Sequence, residues 1–252
     1  MSMERDALIA FWQAEEAAPF RGWDFSYVNG RFHESDLPWD YIVLARDLLP
    51  QAHNVLDMGT GGGERLLTLR DAWPPTVIAT EGWLPNVTVA AQNLSPFGVC
   101  VVAAERHPLP FAPQSFALII NRHTGYRSGD IARVLTPGGV FLTQQIDALW
   151  AWDLQVALGM SVKKRPSSYE LALHYFETET DLVIEQAVAN TGTMTFADVG
   201  ALVYYLKAIP WIVPGFTVAT HLPYLFALQE KLDRGELLQF ETRQYLLKAS
   251  KP

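Results

Sequence analysis

The sequence holds a single cysteine (Cys100), few basic residues and no long apolar run. One cysteine excludes an internal disulfide framework and is compatible with a reducing compartment. Against 19 Lys and Arg stand 27 Asp and Glu, for a formal charge of −8. That balance argues against nucleic acid as a partner, because such binding rests on basic surface that displaces counterions from phosphates. The nearest basic run, Lys163-Lys164-Arg165, is too short to form a groove. No stretch approaches the roughly 20 apolar residues that cross a bilayer. The start, MSMERDALIA, places Glu4 and Asp6 where a secretory leader would be basic and then apolar. A cytoplasmic protein with no membrane partner is the expectation. His33, His53, His107, His174 and His221 show no helical i, i+3 or i+4 pairing and no neighbouring cysteine, so no metal site is expected.

What the chain does have is core material: 49% of its 252 residues are hydrophobic and 18% charged. That suits one large domain spanning 1–252. The first 50 residues are aromatic-rich, with LPWDYIVLARDLLP reading as a helix that Pro50 ends. From Asn54 the pattern alternates. NVLDMG, TVIATEG, GVCVVAAE, SFALIINRH and GGVFLTQQI are strands, with GERLLTLRDA and PNVTVAAQNL as helices between the first three. Continuous apolar runs of this kind are what parallel strands covered on both faces require, and Cys100 is expected to be buried in one of them. Alternation of strand and helix indicates a doubly wound α/β sheet. After Trp150 come a helix from Tyr169 to Glu177, a strand LVIEQAVA, helices in FADVGALVYYLKAIPW and THLPYLFALQEKLDRG, and a closing strand QFETRQYLLKAS.

VLDMGTGGGERL, at the end of the first core strand, is where an open α/β sheet places its ligand. A dinucleotide fingerprint G-x-G-x-x-G would need a third glycine where Glu64 stands, and a negative charge on that first helical turn opposes a diphosphate. The phosphate-cradling P-loop lacks its lysine. A nicotinamide-dependent oxidoreductase is therefore disfavoured. Asp57, beside bare backbone, suits a cationic amine, and Glu81, ending the second strand, can accept hydrogen bonds from both hydroxyls of a ribose. Amine plus ribose without phosphate describes S-adenosylmethionine (SAM).

D-x-G-x-G-x-G in Asp57–Gly63, Glu81, LPFAPQSFALIINRH and RVLTPGGVFLTQQI together resemble a class I SAM-dependent methyltransferase, of the small-molecule branch known as methyltransferase type 11. The matching stretch runs from about Val55 to Ile146 in the family's order. The resemblance implies a Rossmann-like seven-stranded sheet of order 3-2-1-4-5-7-6, the last strand antiparallel, with a helical cap between the last two strands. It divides the domain into an N-terminal helical lid (1–50), a SAM-binding core (51–150) and sheet-edge strands with an acceptor cap (151–252). By resemblance Asp57 holds the methionine amino group. Gly59, Thr60, Gly61 and Gly62 pass under methionine and ribose, and Glu81 clamps the ribose. Gly82 and Trp83 line adenine, Ala104 and Glu105 contact its edge, and Asn121 and Arg122 meet the methionine portion. Two departures stand out: AAERHPLPF is two residues longer than the family's usual stretch and has Ala103 where Asp is common, and Ala117 replaces the usual Asp of SFD.

His123, just past the fourth core strand, is a candidate general base, its ordinary pKa lying near working pH; it also suits a structural, hydrogen-bonded role. Gln144 and Gln145 alternate on their strand, so one of them should face the site. Tyr27, Trp39 and Tyr41 are candidates to close over the cofactor, and Tyr204, Tyr205 and Trp211 to wall the acceptor cavity, against the alternative that these aromatics are core. The fourth-strand stretch NRHTG is not the NPPY-like motif of amino methylation, and no Pro-Cys nucleophile for cytosine is present. The expectation is methyl transfer from SAM, leaving S-adenosylhomocysteine (SAH), to an O, N or C atom of a small-molecule acceptor by a monomer or homodimer. A SAM- or SAH-binding protein without catalysis, acting in interaction or regulation, is the rival.

Overall fold

The computed structural model describes residues 4–20, 24–104, 107–163 and 165–252. Glu105 and Lys164 lie outside the described residues. The chain runs through α1 (Arg5–Ala17), β1 (Phe32–Glu34), α2 (Tyr41–Leu48), β2 (Asn54–Met58), α3 (Glu64–Leu67) and β3 (Thr76–Glu81). It continues through α4 (Leu84–Leu94), β4 (Cys100–Ala103), β5 (Phe116–Arg122), α5 (Ser128–Val134) and β6 (Leu135–Ile146). The remainder is α6 (Trp152–Ala157), α7 (Ser168–Glu179), β7 (Val183–Phe196), α8 (Val199–Ala208), α9 (Val218–Asp233) and β8 (Leu238–Ser250).

The strands hydrogen-bond in the order β1-β7-β8-β6-β5-β2-β3-β4. Read from β4, this is the expected order with one strand added beyond β7. β2, β3, β4, β5 and β6 pair in parallel, and β8 runs antiparallel to β6. Among the described residues the sheet has eight strands, not seven, because Phe32, His33 and Glu34 pair antiparallel with Phe196, Thr195 and Met194. The N-terminal 50 residues are accordingly not a purely helical segment.

Backbone contacts divide the chain into two compact units: Met1–Leu37, Leu149–Arg165 and Thr191–Arg243 in one, Pro38–Ala148, Pro166–Asn190 and Gln244–Pro252 in the other. β7 and β8 each contribute residues to both.

In the first unit Trp12 of α1 is fully buried among Phe196, Leu202 and Leu225, its ring 5.0 Å edge-on to Phe226. Asp198 caps α8 by accepting from Ala201 N at 2.8 Å, and Thr217 and Thr220 form a capping box on α9. Arg31 joins Asp198 at 2.7 Å and the buried Glu15 at 2.8 Å. Tyr27, half exposed, stacks on the buried Tyr204 with ring centroids 4.5 Å apart, and the Tyr204 hydroxyl donates to the Pro19 carbonyl. Tyr205 is buried against Phe196 and Phe32, whereas Trp211 is 62% exposed.

In the second unit the central strands bury most of their residues, as continuous apolar runs require: Leu56, Ile119 and Phe141 under one helical layer, Val55, Leu118 and Leu142 under the other. Asp40 caps α2 through Ile42 N and Val43 N. Asn54 fixes the β2–β5 register, donating to the Ser115 carbonyl and accepting from Ala117 N. The helix expected over GERLLTLRDA shrinks to α3 plus a 3-10 turn at Arg70–Ala72. Side chains explain this: the Thr68 hydroxyl and the Trp73 indole take the Arg65 and Leu66 carbonyls that further helix would use. Cys100, expected to be buried, is exposed, because β4 is the edge strand of the sheet.

Candidate active site

Parallel pairing brings the C-terminal ends of four strands of the second unit together, Met58 beside Thr80 and Asn121, and Glu81 beside Ala103. They open onto a cavity of about 260 Å³. Its wall includes Gly59 from the glycine loop, Glu81 at the end of β3 and Gly82 after it, Ala104 after β4 and His123 after β5. Residues named from different motifs thus share one wall. Met58, Thr80, Thr124 and Gly125 are its other members among the described residues, and sequence reading did not single them out.

The loop itself is held tightly. Gly59 N and Thr60 N both donate to the Thr80 carbonyl, at 3.0 and 2.9 Å, and Gly63 N donates to the Thr60 carbonyl. Gly61 N donates to Glu81 Oε2 at 2.8 Å, and the other carboxylate oxygen accepts from Trp83 N at 2.8 Å. These backbone donors, which a phosphate cradle would present to its ligand, are turned inward. Gly59 has φ +75°, and a Cβ there would lie 1.9 Å from Thr124 Oγ1. The Glu64 carboxylate lies over Gly62, within 2.3 Å of where a Cβ would be. A diphosphate on this turn would therefore meet a carboxylate.

Asp57 is partly buried at the end of β2. Burial raises its pKa to about 6, the Thr60 side chain opposing and the Glu81 charge adding to the rise. Tyr41 is buried nearby, its hydroxyl pKa raised by burial and by the Asp57 charge, with Arg122 opposing. Trp83 is 64% exposed beside the cavity.

Other expected residues lie behind the wall. Asn121 is completely buried: its amide reaches the Met58 carbonyl, and its oxygen accepts from Thr143 and Gln145. Gln144 and Gln145 are both buried and point to opposite sides of the strand, Gln144 toward Trp39, His123 and Gln244, Gln145 toward Asn121 and Thr124. His123 takes the left-handed conformation, φ +60°. Burial and then the Arg122 charge push its pKa down to about 3, with Gln244 opposing. A base that weak is a poor proton acceptor at neutral pH. Among the described residues no cluster of three or more His, Cys, Asp or Glu is arranged to hold a metal, and no helix is long and apolar enough to cross a membrane.

No family model and no curated protein matches the chain. Solved structures do. A Bacillus halodurans C-125 protein provisionally named a methyltransferase is similar over 84% of this chain and 97% of its own, at 17% identity and a TM-score of 0.59. Geranyl diphosphate methyltransferase in complex with SAM is similar over 95% of both chains, at 13% identity and a TM-score of 0.52. The [4+2]-cyclase SpnF is similar over 87% of this chain and 88% of its own, at 15% identity and a TM-score of 0.50. The fold is that of the class I methyltransferases. Because a cyclase shares it, the reaction has to be argued from the site.

Proposed function

We propose that the chain is a SAM-dependent methyltransferase acting on an O, N or C atom of a small-molecule acceptor. The observation that carries this reading is Glu81 on the cavity wall, fixed by the backbone of Gly61 and Trp83. Each carboxylate oxygen has two lone pairs, so one on each is left for a ribose hydroxyl. The loop, with Gly59, Thr60, Gly61 and Gly63 N–H groups turned inward and Glu64 over Gly62, suits methionine and ribose better than phosphates. Asp57 fits the same ligand: an ammonium beside it would offset the burial and the Glu81 charge that raise its pKa.

In this reading Gly59, Thr60, Gly61 and Gly62 pass under the methionine and ribose, and Gly82, Trp83 and Ala104 frame adenine. Asn121 acts through its buried network, holding the Met58 carbonyl in place. SAM supplies an electrophilic methyl group on a sulfonium. The protein aligns the acceptor and excludes water, and alignment alone supplies a large part of such an acceleration. We further read residues 1–252 as one methyltransferase domain, monomeric or homodimeric and cytoplasmic.

The test is transfer of labelled methyl from SAM across a panel of phenols, quinones, amines and carboxylates. Label should enter at least one class and be lost in Asp57→Ala and Glu81→Ala. SAH binding without turnover anywhere in a broad panel would favour binding without catalysis.

A further inference from the structure

The ring of His123 is held by neighbouring side chains of the same unit. Trp39 Nε1–H donates to Gln144 Oε1 at 2.9 Å. An indole nitrogen only donates, so this bond settles which end of the Gln144 amide is oxygen. The amide NH₂ therefore faces His123 Nε2 at 3.2 Å and Gln244 Oε1 at 3.2 Å. An amide NH₂ also only donates, so a hydrogen bond between Gln144 and His123 requires a lone pair rather than a proton on Nε2. Gln144 is 3% exposed, which keeps competing water from these bonds. Its backbone carbonyl also accepts from His123 N at 2.9 Å, so one residue holds both the ring and the backbone of His123.

We propose that Trp39 and Gln144 are positioning residues that lock His123 as the neutral imidazole protonated at Nδ1, so that the ring orients the methyl acceptor and does not remove its proton. The low pKa of His123 agrees with this state. Glu81, the other ionisable side chain among the described residues of the cavity wall, is bound to two backbone N–H groups. The acceptors that fit are those whose reacting atom is already nucleophilic: a carboxylate, a phenolate or an amine free base. The acceptor's lone pair forms the new bond to the methyl carbon while the carbon–sulfur bond breaks and its electron pair stays on sulfur; no proton moves in that step. The acceptor class rests on the methyltransferase reading, whereas the state of the ring does not.

Long-range proton–nitrogen NMR of the ¹⁵N-labelled free protein at pH 7 tests the lock, with His123 assigned by its loss in His123→Asn. The expected spectrum shows a pyridine-like Nε2 and a pyrrole-like Nδ1. Trp39→Phe, which lets the Gln144 amide turn, and Gln144→Met, which removes the donor, should each populate the Nε2–H form. A protonated Nε2 in the native chain, or an unchanged tautomer in both folded variants, would overturn the proposal. If a variant fails to fold, the native spectrum still decides. For any acceptor that is methylated, kcat/KM should fall tenfold per pH unit below that acceptor's own pKa, with the same inflection in His123→Asn. An inflection that vanishes in His123→Asn would make the histidine the base.

Discussion

Gly61 donates its backbone N–H to the Glu81 carboxylate at 2.8 Å, which ties the glycine loop to the end of the neighbouring strand. Glu81→Ala removes this acceptor and the one for Trp83 N together. Binding of SAH should weaken by about 1–3 kcal/mol, the range for losing a charged hydrogen-bond partner. Glu81→Gln keeps one acceptor oxygen and should lose less. Calorimetry with SAH measures both, and unchanged affinity in both would remove Glu81 from the ligand site.

At Gly59 two obstacles to a side chain coincide, φ +75° and Thr124 Oγ1 at 1.9 Å from a built Cβ. Gly59→Ala should lower stability by more than the roughly 1–2 kcal/mol that left-handed backbone costs an L-residue. Adding Thr124→Gly should return the part due to the clash and leave the backbone part. Urea unfolding of the single and double variants separates them, and a double variant no more stable than Gly59→Ala would show the contact to be unimportant.

The core strands were legible because each is a continuous apolar run, and their order only through the resemblance that the ordered motif set carries. β1 was not: its three residues carry no periodicity and pair only because Phe196, far along the chain, lies opposite Phe32. Exposure of Cys100 depends on β4 being an edge, which an apolar run cannot reveal. The loop, Glu81, Gly82 and Ala104 were legible as a motif set, and the structure places members of it on one cavity. Thr80 and Thr124 were not, since the first acts through its backbone carbonyl and the second through proximity to Gly59. Gln144 could be expected at a strand end. Its hold on His123 depends on Trp39, 105 positions away in sequence.

The raised pKa of Asp57 makes both stability and binding depend on pH. The free side chain titrates near 3.8 and the folded one near 6, so between these values the folded chain binds more protons than the unfolded one. Stability should therefore fall as pH rises from about 4 to 6, by at most ~3 kcal/mol for a shift of this size. Asp57→Asn should remove that fall in urea unfolding at pH 4 and 7. Binding goes the other way, because the amino group of SAH stays protonated throughout and needs the ionised carboxylate. Affinity for SAH should weaken as pH drops from 7 to 5, by up to about tenfold, and a pH-independent affinity would contradict the pairing.

In the first unit Arg31 holds the buried Glu15 and the α8 cap Asp198 at once. Arg31→Leu leaves a buried carboxylate without its cation and should cost about 2–4 kcal/mol, somewhat less than breaking a fully buried pair. Adding Glu15→Gln should recover much of this, as thermal unfolding of both variants would show. Equal losses in the two would place the cost elsewhere.

The most direct measurement of the central claim is calorimetric titration of the purified chain with SAH and, separately, with NAD. The account predicts saturable SAH binding that Asp57→Ala weakens by about 1–3 kcal/mol, and no NAD binding. Binding of NAD without SAH would contradict it, because a diphosphate would then occupy a loop whose N–H groups are turned inward and on which Glu64 lies.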